Sequence, residues 1–123
     1  MKLVAENDLV LSYLSGSLSL LSGQLMEMRV YLKQQLLTID LDVSLIYAKG
    51  NPLHKLRFTD VVEYSYYYNS DYIFYNIAIF KFLNIGGLFY LSLDPENESN
   101  NRSENDQDFI LSKSVSVYSI ADF

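Results

Sequence analysis

Apolar and polar side chains alternate along much of this chain with a period of two, the spacing of half-buried β-strands. From Met26 the pattern is clear: Met26, Met28, Val30 and Leu32 point one way, and Glu27, Arg29, Tyr31 and Lys33 the other. After the polar connection Lys33-Gln34-Gln35, Leu37, Ile39, Leu41, Val43, Leu45 and Tyr47 alternate with Thr38, Asp40, Asp42 and Ser44. So short a connection predicts an antiparallel hairpin. Lys49-Gly50-Asn51-Pro52 then supplies turn residues, and an extended pattern restarts over 53–58. Thr59-Asp60 interrupts it. Beyond, Val62, Tyr64, Tyr66 and Tyr68 alternate with Val61, Glu63, Ser65 and Tyr67, which predicts another strand closed by a turn at Asn69-Ser70-Asp71.

Residues 72–83 are apolar almost throughout. Length permits one strand buried on both faces, two short strands or a helix, and the Ile and aromatic content favours strand. Asn84-Ile85-Gly86-Gly87 predicts a turn, 88–93 a further strand and 115–120 the last. Near the N-terminus, 8–14 reads as a short helix that Asn7 or Asp8 would cap and Gly16 would end. Leu14, Gly16, Leu18 and Leu20 also alternate with serines, so a strand is an equal reading there. Residues 94–108 carry no large apolar side chain and predict a solvated, mobile acidic loop. Seven or eight strands with no strong helix between them predict a mainly β fold, an antiparallel β-sandwich or open barrel, because parallel strands require long crossovers.

Composition narrows the classes of function. A chain of 123 residues, half of them apolar, with 11 Tyr and 7 Phe, suits one packed domain and excludes disorder for most of its length. Its net charge of −6 and scattered basic residues argue against nucleic acid, whose affinity comes from clustered Lys and Arg. The lack of cysteine excludes disulfides, thiolate metal sites and a Cys nucleophile, and fits a reducing cytoplasm. The leucine-rich stretch 9–21 follows Glu6 and Asp8 and is broken by serines and Gly16, a poor signal peptide. No apolar run approaches the roughly 20 residues that span a bilayer, so no transmembrane helix is expected.

Candidate chemistry is sparse. His54 is the only histidine, and no Gly-x-Ser-x-Gly elbow accompanies it; a structural role is the simpler reading. Metal binding would have to use oxygen ligands alone. Asp94, Glu96, Glu98, Glu104, Asp106 and Asp108 do not follow the EF-hand order. Asp40 and Asp42 share a strand face about 7 Å apart, a spacing that glycoside chemistry could in principle use, but two acids on the polar face of an amphipathic strand are what solvent exposure alone produces. No catalytic residue and no cofactor are expected. The tyrosine block is the most unusual feature: alternation sends Tyr64, Tyr66 and Tyr68 to one face and Tyr67 to the other, so one set belongs to the core or to an interface.

The order Leu56-Arg57-Phe58-Thr59-Asp60-Val61-Val62-Glu63-Tyr64, then the tyrosines, then Phe89-Tyr90-Leu91-Ser92-Leu93-Asp94-Pro95 and Asp106-Gln107-Asp108-Phe109-Ile110 resembles a set of small acidic bacterial proteins. The likeness covers 56–110. Some proteins of that general kind act as cytoplasmic immunity partners of secreted toxins, so the resemblance implies a non-catalytic domain that recognises a protein, with no defined functional residue attached. The residues point to the same expectation: Tyr66, Tyr67, Tyr68, Tyr72 and Tyr75 together with Glu96, Glu98, Glu104, Asp106 and Asp108 would meet a basic partner. A small-ligand or carbohydrate-binding β-sandwich, with tyrosines lining a groove, is the alternative.

Overall fold

The structure is a computed structural model that describes residues 1–50, 52–68, 70–71 and 75–120. Among these residues seven strands and one short α-helix follow in the order β1 (Lys2–Glu6), α1 (Asp8–Tyr13), β2 (Gln24–Lys33), β3 (Leu36–Ser44), β4 (Leu53–Ser65), β5 (Lys81–Ile85), β6 (Leu88–Asp94) and β7 (Gln107–Ser119). All pairings are antiparallel within one sheet of order β2-β3-β4-β7-β6-β5, and β1 pairs with β7 beside the β6 half.

The expected hairpin is β2–β3, turned by Gln34 and Gln35 at φ 52° and 66°. Two successive positive φ values match the right-handed strand twist. The anticipated break at Thr59-Asp60 is a distortion inside one 13-residue strand: Asp60 has φ 58°, and the register with β7 slips between Val61 and Glu63. Such an extra residue bends a strand without ending it. β5 continues through Asn84 and Ile85, leaving only Gly86 and Gly87 as the turn. β1 is an addition to the expected set, and β7 begins eight residues before the expected 115. Residues 8–13 are helical, while 16–18 form a single 3-10 turn rather than a strand. Asn69 and residues 72–74 of the expected turn and apolar run lie outside the described residues.

The sheet curls upon itself. In a flat sheet β4 and β5, three strand spacings apart, would lie about 14 Å from each other. Yet the Phe58 and Phe82 rings sit 6.2 Å apart. Residues 75–77, which lead toward β5, also bond to the start of β2 at the far end of the strand order: Leu25 N–H donates to Tyr75 C=O at 2.7 Å and Ile77 N–H to Gly23 C=O at 2.9 Å. Gly23 is required at this closure, because a Cβ there would lie 2.9 Å from the carbonyl oxygens of Leu20 and Ser44. Of the two expected forms the sheet is nearer to the open barrel. Its interior holds Ile39, Leu41, Val43, Leu56, Phe58, Leu91, Ile110, Val115 and Val117, with Val10 and Leu14 of α1 and Leu20 added from the N-terminal segment. No helix among the described residues is long and apolar enough to cross a membrane.

Candidate partner-binding surface

Strand alternation puts Lys81, Tyr90, Ser92, Phe109 and Leu111 on the outer face of the sheet, through the pairs Lys81↔Ser92, Tyr90↔Leu111 and Ser92↔Phe109. Large side chains on that face need a cover, and the connection between β6 and β7 provides it. Asp106 lies at its centre. Its Oδ1 accepts hydrogen bonds from Glu96 N–H at 2.9 Å and Lys81 Nζ at 3.2 Å; its Oδ2 accepts from Tyr90 OH at 2.8 Å, Ser103 N–H at 2.9 Å and Lys81 Nζ at 3.1 Å. Lys81 Nζ also donates to the Asn101 carbonyl at 2.8 Å. Both charged side chains are withdrawn from solvent. A buried ion pair is tolerable only when its remaining donors and acceptors are matched, and here five hydrogen bonds converge on one carboxylate. Burial alone would raise the Asp106 pKa; the amides of Ser103 and Glu96, the Tyr90 hydroxyl and Lys81 outweigh it and hold the carboxyl below its ordinary value. Tyr90 is pushed well above the usual phenol range by burial, then by its bond to Asp106.

Arg102 seals the layer, its guanidinium 5.2 Å from the Tyr90 ring centre and 4.8 Å from that of Phe109, with Nη2 2.8 Å from Glu63 Oε1 on β4. The segment expected to be a solvated loop is therefore folded onto the sheet for much of its length. The physical reason is the cation at Lys81, which no residue near it in sequence can neutralise.

Beside this layer, β4 ends in the tyrosines. Ser65 pairs with Phe109, and Tyr67 N–H donates to Asp108 Oδ1 at 3.1 Å, so Asp108 anchors the chain as it leaves the sheet. Ser65, Tyr67, Asp106, Gln107 and Asp108 line an open recess of about 440 Å³. Tyr67 and Tyr68 expose 60% and 64% of their surface, whereas Tyr66 turns toward the core. The Tyr66 hydroxyl is buried and has no hydrogen-bond partner among the described residues, and its pKa is raised by that burial and then by the charge of Asp108. Tyr75 is exposed and lies at the β2 closure, and Tyr64 is exposed on β4. Tyr72 lies outside the described residues.

The ten expected contact residues thus divide. Tyr67 stands at the recess, Tyr68 is exposed next to it in the chain, Glu98 and Glu104 are exposed on the loop, and Tyr75 is exposed at the β2 closure. Tyr66, Asp106 and Asp108 face inward instead: Tyr66 packs against the core, and the two aspartates, 5% and 2% exposed, line the recess while their carboxylates bond to the loop and to the Tyr67 amide. Glu96 is exposed but occupied, accepting from the Ser103 hydroxyl and the Asn105 amide, which hold its pKa below the ordinary value. Lys81, Tyr90 and Arg102 are the supporting residues that sequence reasoning missed. Lys81 carried one available signal, a lone cation inside an apolar run.

The remaining candidates are engaged by neighbours within the fold. His54 is buried, and its Nε2 lies 2.9 Å from the Tyr13 hydroxyl of α1. Asp40 is clamped on the outer face by Arg57, with Nε 3.0 Å from Oδ1 and Nη2 3.1 Å from Oδ2, and by Tyr31 OH at 2.8 Å. Asp42 meets Lys55 at 2.8 Å. Both carboxylates of that pair are engaged by cations, an arrangement that suits cross-strand stabilisation. Among the described residues no three His, Asp or Glu side chains gather as a metal-binding group. No protein-family model matches the chain, and no curated protein or solved structure matches it either.

Proposed function

We propose that this chain is a non-catalytic protein-binding domain whose partner docks on Tyr64, Tyr67 and Tyr68 and on the outer side of the docked loop. The observation that carries the reading is the exposure of Tyr67 at the rim of a recess, with the equally exposed Tyr68 next to it in the chain, where the Tyr67 amide is held by the buried Asp108 carboxylate. Exposed tyrosine gives large contact area for little loss of side-chain entropy, and rigid surroundings lower the ordering cost of association. Glu98, Glu104 and the net charge of −6 favour a basic partner and speed its capture. An immunity-like role against a basic toxin is one form this function takes, in line with the resemblance over 56–110.

The experiment is an affinity capture from lysate of the source cells with wild type and the Tyr67→Ala/Tyr68→Ala variant in parallel, followed by native mass spectrometry. A stoichiometric protein held by wild type and lost from the variant is the expected result. Equal recovery on both baits removes the tyrosines from the interface. A small molecule carried by wild type and absent from the variant transfers the recess to the ligand-binding alternative, for which its 440 Å³ volume is adequate.

A further inference from the structure

Strand β2 stands at one end of the strand order and carries an apolar face that the fold covers only in part, Met28 packing against the core and Val30 and Leu32 lying beyond it. Met28, Val30 and Leu32 face the same side as their β3 partners Leu41, Ile39 and Leu37. Val30 nevertheless remains 42% exposed and Leu32 72%. The alternation predicted a half-buried strand, and the hairpin instead overhangs the core. Among the described residues, nothing pairs with the outer edge of β2 beyond Leu25. A long edge with exposed apolar side chains and no proline is a template for another strand.

We propose that the occupant is β2 of a second copy of this chain, paired antiparallel about a two-fold axis at Val30. Charge decides both occupant and register. About Val30, Glu27 of each copy faces Lys33 of the other, Arg29 faces Tyr31, and Met28 faces Leu32, so all seven residues from Glu27 to Lys33 meet a matching neighbour. Arg29 already lies 5.0 Å over the Tyr31 ring within one chain, so this cation–aromatic pairing suits the strand. Centring on Arg29 would oppose two Arg29 side chains, and centring on Tyr31 would oppose Arg29 to Lys33 twice. Centring on Met28 would carry the pairing onto Gln24 and Leu25, where residues 75–77 already bond. The pattern therefore selects one register, and a two-fold contact consumes the edge and closes the assembly.

Sedimentation equilibrium of the full chain from micromolar to submillimolar concentration tests this. Wild type is expected to show a monomer–dimer equilibrium. E27K or K33E alone places like charges at both symmetry-related pairs and weakens dimerisation about tenfold or more. An equimolar mixture of E27K and K33E restores the dimer, because each mixed pair has opposite charges at both contacts. Wild type that stays monomeric, a dimer indifferent to both substitutions, or a mixture that fails to recover overturns the proposal. These residues are separate from the tyrosine surface, so failure here leaves the proposed function standing.

Discussion

Asp106→Ala is expected to lower folding stability by about 3–5 kcal/mol, read as a fall in the urea midpoint, because it leaves a buried lysine without its counter-charge. Lys81 would retain only the Asn101 carbonyl, and the Glu96 and Ser103 amides and the Tyr90 hydroxyl would each lose an acceptor. Removing both charges with Lys81→Met/Asp106→Leu should cost less than the two single changes together, since neither charge is then stranded. A pH dependence accompanies this. The folded Asp106 pKa lies below its unfolded value, so its contribution is fully present above the unfolded pKa and is lost as pH falls through the folded one. The stability gap between wild type and Asp106→Asn is therefore widest near neutrality and narrows below about pH 4. A change near zero for Asp106→Ala would mean that the loop does not depend on this carboxylate.

Phe58→Ala is expected to cost a similar amount, about 3–5 kcal/mol, from lost burial and the cavity left inside the curled sheet. Phe58 is fully buried, and its ring meets Phe82 from a strand three places away. That contact exists only if the sheet curls. A double-mutant cycle with Phe82→Leu should accordingly give a coupling of about 0.5–1.5 kcal/mol. Strict additivity would place β4 and β5 apart and contradict the curl.

Local rules made part of this architecture readable. The alternation from Leu37 to Leu45 is the buried face of β3, and the Gln34-Gln35 connection is the tight turn between β2 and β3. Long-range partners hid the rest. Asp106 sits in an acidic, polar sequence and looks like a solvent charge; its burial depends on Lys81, 25 residues away in the chain. The face of β2 was legible and its exposure was not, since alternation shows which side is apolar but not how far the core extends under it. Ser112, Lys113 and Ser114 interrupt the apolar run of β7, so alternation shows only its second half, while in the fold Lys113 turns outward to Asp60 at 3.4 Å. The tyrosine block showed its alternation plainly. Which members face solvent depends on Asp108, whose carboxylate takes the Tyr67 amide as the chain leaves β4.

The functional reading rests on a recess with rigid walls, and backbone hydrogen exchange tests that directly. The amides of Tyr67, Glu96 and Ser103, each bonded to a buried carboxylate, are predicted to exchange far more slowly than that of Glu98 at the exposed turn of the loop. Exchange of all four at the rate of an unstructured chain would contradict the docked loop and, with it, the binding surface built upon it.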